Sequence, residues 1–97
     1  MKIPVIQDKD FIIYLEYYKD LFWLHTDVFK WSSEVKKRFL SRLDQLQQAM
    51  NTELFGLVDN DKLEKFGKAI GFEFYQTTLG FDNQEYKVFI RRNKWAV

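Results

Sequence analysis

Asn60-Asp61-Lys62-Leu63-Glu64-Lys65-Phe66-Gly67-Lys68-Ala69-Ile70-Gly71-Phe72 reads as a short helix stopped by glycine and delivered straight into an aromatic strand. The Asn60 side-chain oxygen suits an N-cap, and Gly71 supplies the left-handed residue that ends a helix. Leu63, Phe66 and Ile70 recur at three- and four-residue spacing, so one face is apolar.

Working outward, Glu53 to Val58 is a short apolar strand, and Asp59-Asn60 turns it into this helix. Upstream, Ser32 or Ser33 caps a longer helix with Glu34 in its first turn. Val35, Phe39, Leu43, Leu46 and Met50 then form one stripe over about Ser33 to Met50. Phe11 to Tyr18 and Leu21 to Val28 are dense in aromatic and β-branched residues and read as strands around a Lys19-Asp20 turn. The second is mostly apolar, which suits a central place in a sheet. Phe72 to Leu79 and Glu85 to Arg91 form a hairpin around Asp82-Asn83. Residues 1–10 read as a loosely ordered lead-in. The order β-β-α-β-α-β-β predicts an α+β domain over residues 1–97: a mixed, twisted, five-stranded sheet with two helices packed on it. Strands joined by a helix are expected to run parallel through right-handed crossovers, and the two terminal hairpins antiparallel.

The chain of 97 residues has room for one modest core. Its 46% hydrophobic and 19% aromatic residues exclude the composition of a disordered chain. A net charge of +1 implies no bulk attraction to nucleic acid or acidic membrane. With no cysteine there is neither a disulfide nor a thiolate–metal site. No apolar run approaches a membrane span, and Met1 to Asp8 lacks the apolar core of a signal peptide. The expectation is a small soluble domain in the cytoplasm.

The element order resembles the C-terminal two-thirds of the GNAT family of N-acetyltransferases, in which Asn opens the last helix and Gly-Phe closes it. The resemblance runs from about Leu21 to Arg92. Locally it is similar to small phage-encoded acetyltransferase-like proteins, among them internal virion or assembly proteins of short-tailed phages. Phe22-Trp23-Leu24-His25-Thr26-Asp27-Val28, Trp31, Lys36-Lys37-Arg38-Phe39 and Phe66 to Phe74 carry that likeness. The resemblance implies a truncated fold, acetyl-coenzyme A as the cofactor, and a cofactor site where the central strand splays from its neighbour.

In that family, glycines before the long helix let backbone N–H groups approach the cofactor pyrophosphate. The corresponding stretch here, Phe29-Lys30-Trp31-Ser32-Ser33-Glu34-Val35-Lys36, has no glycine and brings an acid to the helix start. Ser32, Ser33, Lys36 and Lys37, with Arg38 beside them, are the candidate anion or pyrophosphate ligands. Cations near a helix N-terminus oppose the macrodipole, a disadvantage that a bound anion would offset. The family's acid tyrosine follows the helix phenylalanine, and Gly67 stands there. No catalytic residue is therefore assigned, and no cofactor is expected, since the glycine-free turn is not a standard acetyl-coenzyme A cradle.

His25, the only histidine, suits a general base by its near-neutral pKa, or a structural hydrogen bond at the sheet surface. Asp27 shares its strand face, so the two are placed to interact. Two such residues make no metal site, and no metal motif is visible. Trp23, Trp31 and Trp95 are candidates for a binding patch, and Arg91, Arg92 and Lys94 beside Trp95 for phosphate contact and base stacking.

The expected function is a non-catalytic or degenerate acetyltransferase-like phage protein that binds another protein, in virion assembly or host-protein inhibition. A partner chain, or a second copy in a homodimer, would pair with the first strand, Phe11 to Tyr18, which truncation of the sheet would expose as an edge. The alternatives are a minimal N-acetyltransferase using acetyl-coenzyme A and a weak nucleic-acid-binding module.

Overall fold

Six strands, one more than the sequence predicts, build the sheet in a computed structural model that describes residues 1–95. The added strand is β1, Lys2–Gln7, within the stretch expected to be a lead-in. It pairs antiparallel with β2, Phe11–Tyr18, and its register shifts between Pro4 and Ile6. Proline cannot donate to a ladder on both sides, so an edge position suits Pro4. Asp8 then receives Arg38 Nη2 at 3.0 Å and Asp10 receives the same nitrogen at 2.6 Å. That clamp fixes the β1–β2 connection to the first helix.

β2 and β3, Leu21–Val28, form a hairpin whose loop is Lys19-Asp20. Both loop residues have positive φ, 52° and 65°, the conformation that a two-residue hairpin requires. α1 spans Ser33–Met50, as expected. Its N-cap is Ser32, whose hydroxyl accepts the Val35 N–H at 3.2 Å. The inward stripe bends near its end: Val35, Phe39, Leu43 and Gln47 are buried, and Leu46 and Met50 are only partly covered.

β4, Leu54–Val58, runs parallel to β3. α2, Asp61–Ala69, begins at Asn60, whose side-chain oxygen accepts the Leu63 N–H at 2.8 Å. It ends as read: Gly71 has φ +96°, the Gly71 N–H reaches the Lys68 carbonyl, and the Phe72 N–H reaches the Gly67 carbonyl at 2.9 Å. β5, Glu73–Leu79, and β6, Glu85–Arg91, close the chain as an antiparallel hairpin. β6 inserts between β4 and β5, giving the order β1-β2-β3-β4-β6-β5. β3 is thus central, as its apolar composition predicts, and the edges are β1 and β5, not the Phe11–Tyr18 strand.

Both helices lie on one face. Phe39 of α1 meets Phe66 of α2 edge-on at 5.7 Å, over a core of Phe11, Ile13, Leu54 and Phe89. Full burial of each such side chain contributes roughly 1.5–3 kcal/mol. The opposite face carries a second, smaller cluster without a helix residue, Phe55, Val88 and Ile90, flanked by Leu21 and Trp23. Strand alternation separates the two sets, with Leu54 and Val58 on one side of β4 and Phe55 on the other. Among the described residues, no helix is long and apolar enough to cross a membrane.

Candidate functional site

The parallel ladder between β3 and β4 is limited to the Trp23–Phe55 pair. Past that pair, Leu24, His25 and Thr26 of β3 stand opposite Gly56, Leu57 and Val58 of β4 across a cleft of about 220 Å3. Leu63, Phe66, Gly67 and Ile70 of α2 line its helix side, and Lys2 joins its wall. A second concavity of about 500 Å3 shares Thr26, Leu63 and Phe66 with the first. It is bounded by the β3–α1 loop through Phe29, Lys30 and Trp31, and by the start of α2 through Asn60 and Lys62. Trp31 braces this wall with edge contacts to Phe66 at 5.2 Å and Phe39 at 5.6 Å.

The splay has a local cause. α2 leaves β4 directly at Val58 through Asp59-Asn60, and Phe72 takes the space over Gly56. A Cβ on Gly56 would already sit 3.6 Å from the Phe72 ring. The result is an apolar slot with two lysines at its outer mouth, suited to a ligand with an apolar body and a negative end.

His25 borders the slot, and its Nε2 lies 3.0 Å from Glu16 Oε1. The other Glu16 oxygen receives the N-terminal ammonium at 3.3 Å. The His25 bond, aided by that ammonium, holds the Glu16 carboxyl below its ordinary pKa. Asp27 does not pair with His25, contrary to what their shared face suggests. It accepts the Tyr14 hydroxyl at 2.6 Å, and this bond to the carboxylate raises the Tyr14 phenol above its ordinary pKa. His25 and Asp27 each reach diagonally to β2 instead of along their own strand. A carboxylate-held imidazole at a cleft is competent to accept a proton.

No protein-family model, curated protein or solved structure matches the chain.

The residues named from sequence fall at the start of α1, outside both concavities. Ser32 is occupied as the cap, Ser33 and Lys37 are exposed, and Lys36 is half-buried. Arg38 is held by Asp8 and Asp10, so it does not complete an anion cluster. The C-terminal basic group is similarly engaged. Arg91 is buried in internal hydrogen bonds, Arg92 pairs with Glu73 at 2.7 Å, and Lys94 lies over the Trp95 ring. Sequence reasoning missed Lys2, Thr26 and Lys62 as cleft residues. Lys62 sat in the quoted helix, but nothing local shows that Thr26, more than thirty residues earlier, would face it. Among the described residues, no group of three His, Cys, Asp or Glu side chains is placed to hold a metal ion.

Proposed function

We propose that the chain is a non-catalytic, acetyltransferase-like binding module that acts by holding another protein. The observation that carries this reading is Gly67 in the wall of the β3–β4 cleft. The resemblance implies a proton-donating tyrosine at that position beside a cofactor slot, and glycine has no proton to give. The start of α1 supports the same reading. Ser32 already satisfies the Val35 N–H, and Glu34 places negative charge where a pyrophosphate would lie. Binding is supported by large apolar side chains left in solvent along the second half of the chain, among them Phe74, Tyr75, Leu79 and Phe81. The likeness to phage proteins makes a particle component, an assembly factor or an inhibitor of a host protein the natural roles.

The experiment is thermal denaturation with and without acetyl-coenzyme A, together with an acetyl-transfer assay on a panel of amines. A ligand at a hundred times its Kd stabilises the native state by about 2.7 kcal/mol, so tight binding must raise the midpoint. An unchanged midpoint and no transfer support the binding module, and saturable binding with turnover overturns it.

One observation favours the second reading, a minimal N-acetyltransferase using acetyl-coenzyme A. His25, held by Glu16, borders the same slot that Lys30 and Lys62 flank further out. In that reading His25 accepts the proton of the attacking amine, and His25→Gln abolishes transfer while leaving cofactor binding intact.

A further inference from the structure

We infer that the outer edge of β5 pairs with the β5 edge of a second copy of this chain, joining two six-stranded sheets into one. The inference rests on reading the chain as a binding module and names its partner and its surface.

The two sheet edges differ in what they present. β1 carries Pro4 at mid-strand, Lys2 near its start and a register shift, all of which oppose further pairing. β5 has neither proline nor lysine, and all seven of its residues are exposed although β6 pairs along its length. Its irregularity, between Phe74 and Gln76, lies toward one end and leaves Gln76 to Leu79 in regular register. Over Gln76 to Leu79 the edge carries no bulge, proline or charge, and such a stretch offers a row of backbone donors and acceptors to another strand. Leu79 is 70% exposed and Phe81, just past the strand, is fully exposed, so apolar side chains flank the hydrogen-bonding groups.

The sequence of β5 selects a copy of itself. A two-fold pairing is isologous, so residues near the axis meet their own counterparts. Between Phe74 and Leu79 there is no charge. Antiparallel pairing centred on Gln76 or on Thr77 therefore sets an amide or a hydroxyl against its twin. The one charged residue, Glu73, then meets Leu79 or Phe81 of the other copy and never the other Glu73. Like charges directly opposed destabilise a strand pair, and this strand avoids them in both registers. Pairing of β5 with a β1 edge would not close and would lead to open filaments, and Pro4 and Lys2 oppose that arrangement.

The test is sedimentation equilibrium of the full chain over a wide concentration range. A dimer that dissociates on dilution is expected. Gln76→Lys with Thr77→Lys places like charges at the axis on both faces and should weaken it by more than about tenfold. Ile3→Lys on the other edge should leave it unchanged. Circular dichroism establishes that each variant is folded. Because the chain has no cysteine, Thr77→Cys or Gln76→Cys gives an independent readout. A disulfide-linked dimer is expected from at least one of them under mild oxidation, and none from Ile3→Cys. A monomer at every concentration, a dimer broken by the β1 variants, or a monomer that takes up an extended peptide of another sequence overturns the inference. These results leave the acetyl-coenzyme A test untouched. Acetyl transfer by an intact dimer would overturn the binding-module reading alone.

Discussion

Arg91 donates from Nε to the backbone carbonyl of Ile70 at 2.8 Å, so the last residue of β6 closes the end of α2. Its other nitrogens reach Gln47 Oε1 and Asp44 Oδ1, each at 2.7 Å, and Gln47 returns a bond to the Arg91 carbonyl at 2.7 Å. Arg91 is only 6% exposed and Gln47 wholly buried, so removing the guanidinium leaves polar groups without partners. Arg91→Met is expected to lower stability by about 3 kcal/mol. Arg92→Met, next in sequence, breaks only a solvent-exposed pair with Glu73 and should be near neutral. Urea unfolding of the two variants separates them, and equal losses would contradict the network.

The two glycines that flank the end of α2 should respond to alanine with opposite signs. Gly67 lies within the helix, and a Cβ there would make an ordinary 3.8 Å contact with the Phe72 Cβ. Gly67→Ala should therefore stabilise the fold by about 0.5–1 kcal/mol and raise the melting midpoint by a few degrees. Gly71 has φ +96°, and a Cβ would come within 3.1 Å of Arg91 Nε. Gly71→Ala should destabilise by roughly 1–3 kcal/mol, because strain and crowding of the Arg91 network act together.

The β2–β3 turn holds Lys19 and Asp20 at positive φ without a glycine. Asn-Gly prefers that geometry, whereas a lysine in the left-handed region is strained by about 1 kcal/mol or more. The change sacrifices the exposed bond from the Tyr17 hydroxyl to Asp20, at 3.1 Å, and the Lys19 ammonium's position 5.5 Å over the Tyr18 ring, both solvent-exposed contacts. The double change Lys19→Asn, Asp20→Gly should raise the thermal midpoint without altering the β2–β3 register. A lower midpoint would mean that these side-chain contacts matter more than the backbone.

What could be read in advance was local. The caps at Ser32 and Asn60, the left-handed Gly71 and the stripe Val35, Phe39 and Leu43 depend on neighbours within a few residues, and all appear as expected. β1 was missed because its own signal is poor. Lys2, Pro4 and Gln7 interrupt its apolar residues, and it becomes a strand only by pairing with Phe11–Tyr18. The burial of Gln47 was hidden for a related reason, since its partner Arg91 lies 44 residues away. The cleft was least legible. It arises where β3 and β4 part beyond Trp23 and Phe55, and no residue there has a composition that announces a gap.

The acid limb of stability should report the carboxylates that the fold holds in ionised form. Asp8 lies below its ordinary value of 3.8, chiefly through its bond to Arg38, and Glu16 and Glu64 lie below their ordinary 4.5 through His25 and Lys87 respectively. A carboxyl with a folded-state pKa below its unfolded one stabilises the fold above the unfolded value. That contribution disappears as pH falls through the folded value. Stability should thus change little from neutrality to about pH 5 through these groups and decline progressively below it. Asp8→Asn removes one of them and the charge facing Arg38. Its urea midpoint should lie below wild type at pH 7, with the gap closing as acid protonates Asp8 in the wild-type chain. A gap that stays constant down to about pH 2 would mean that the Asp8 charge contributes nothing to the β1–β2 clamp.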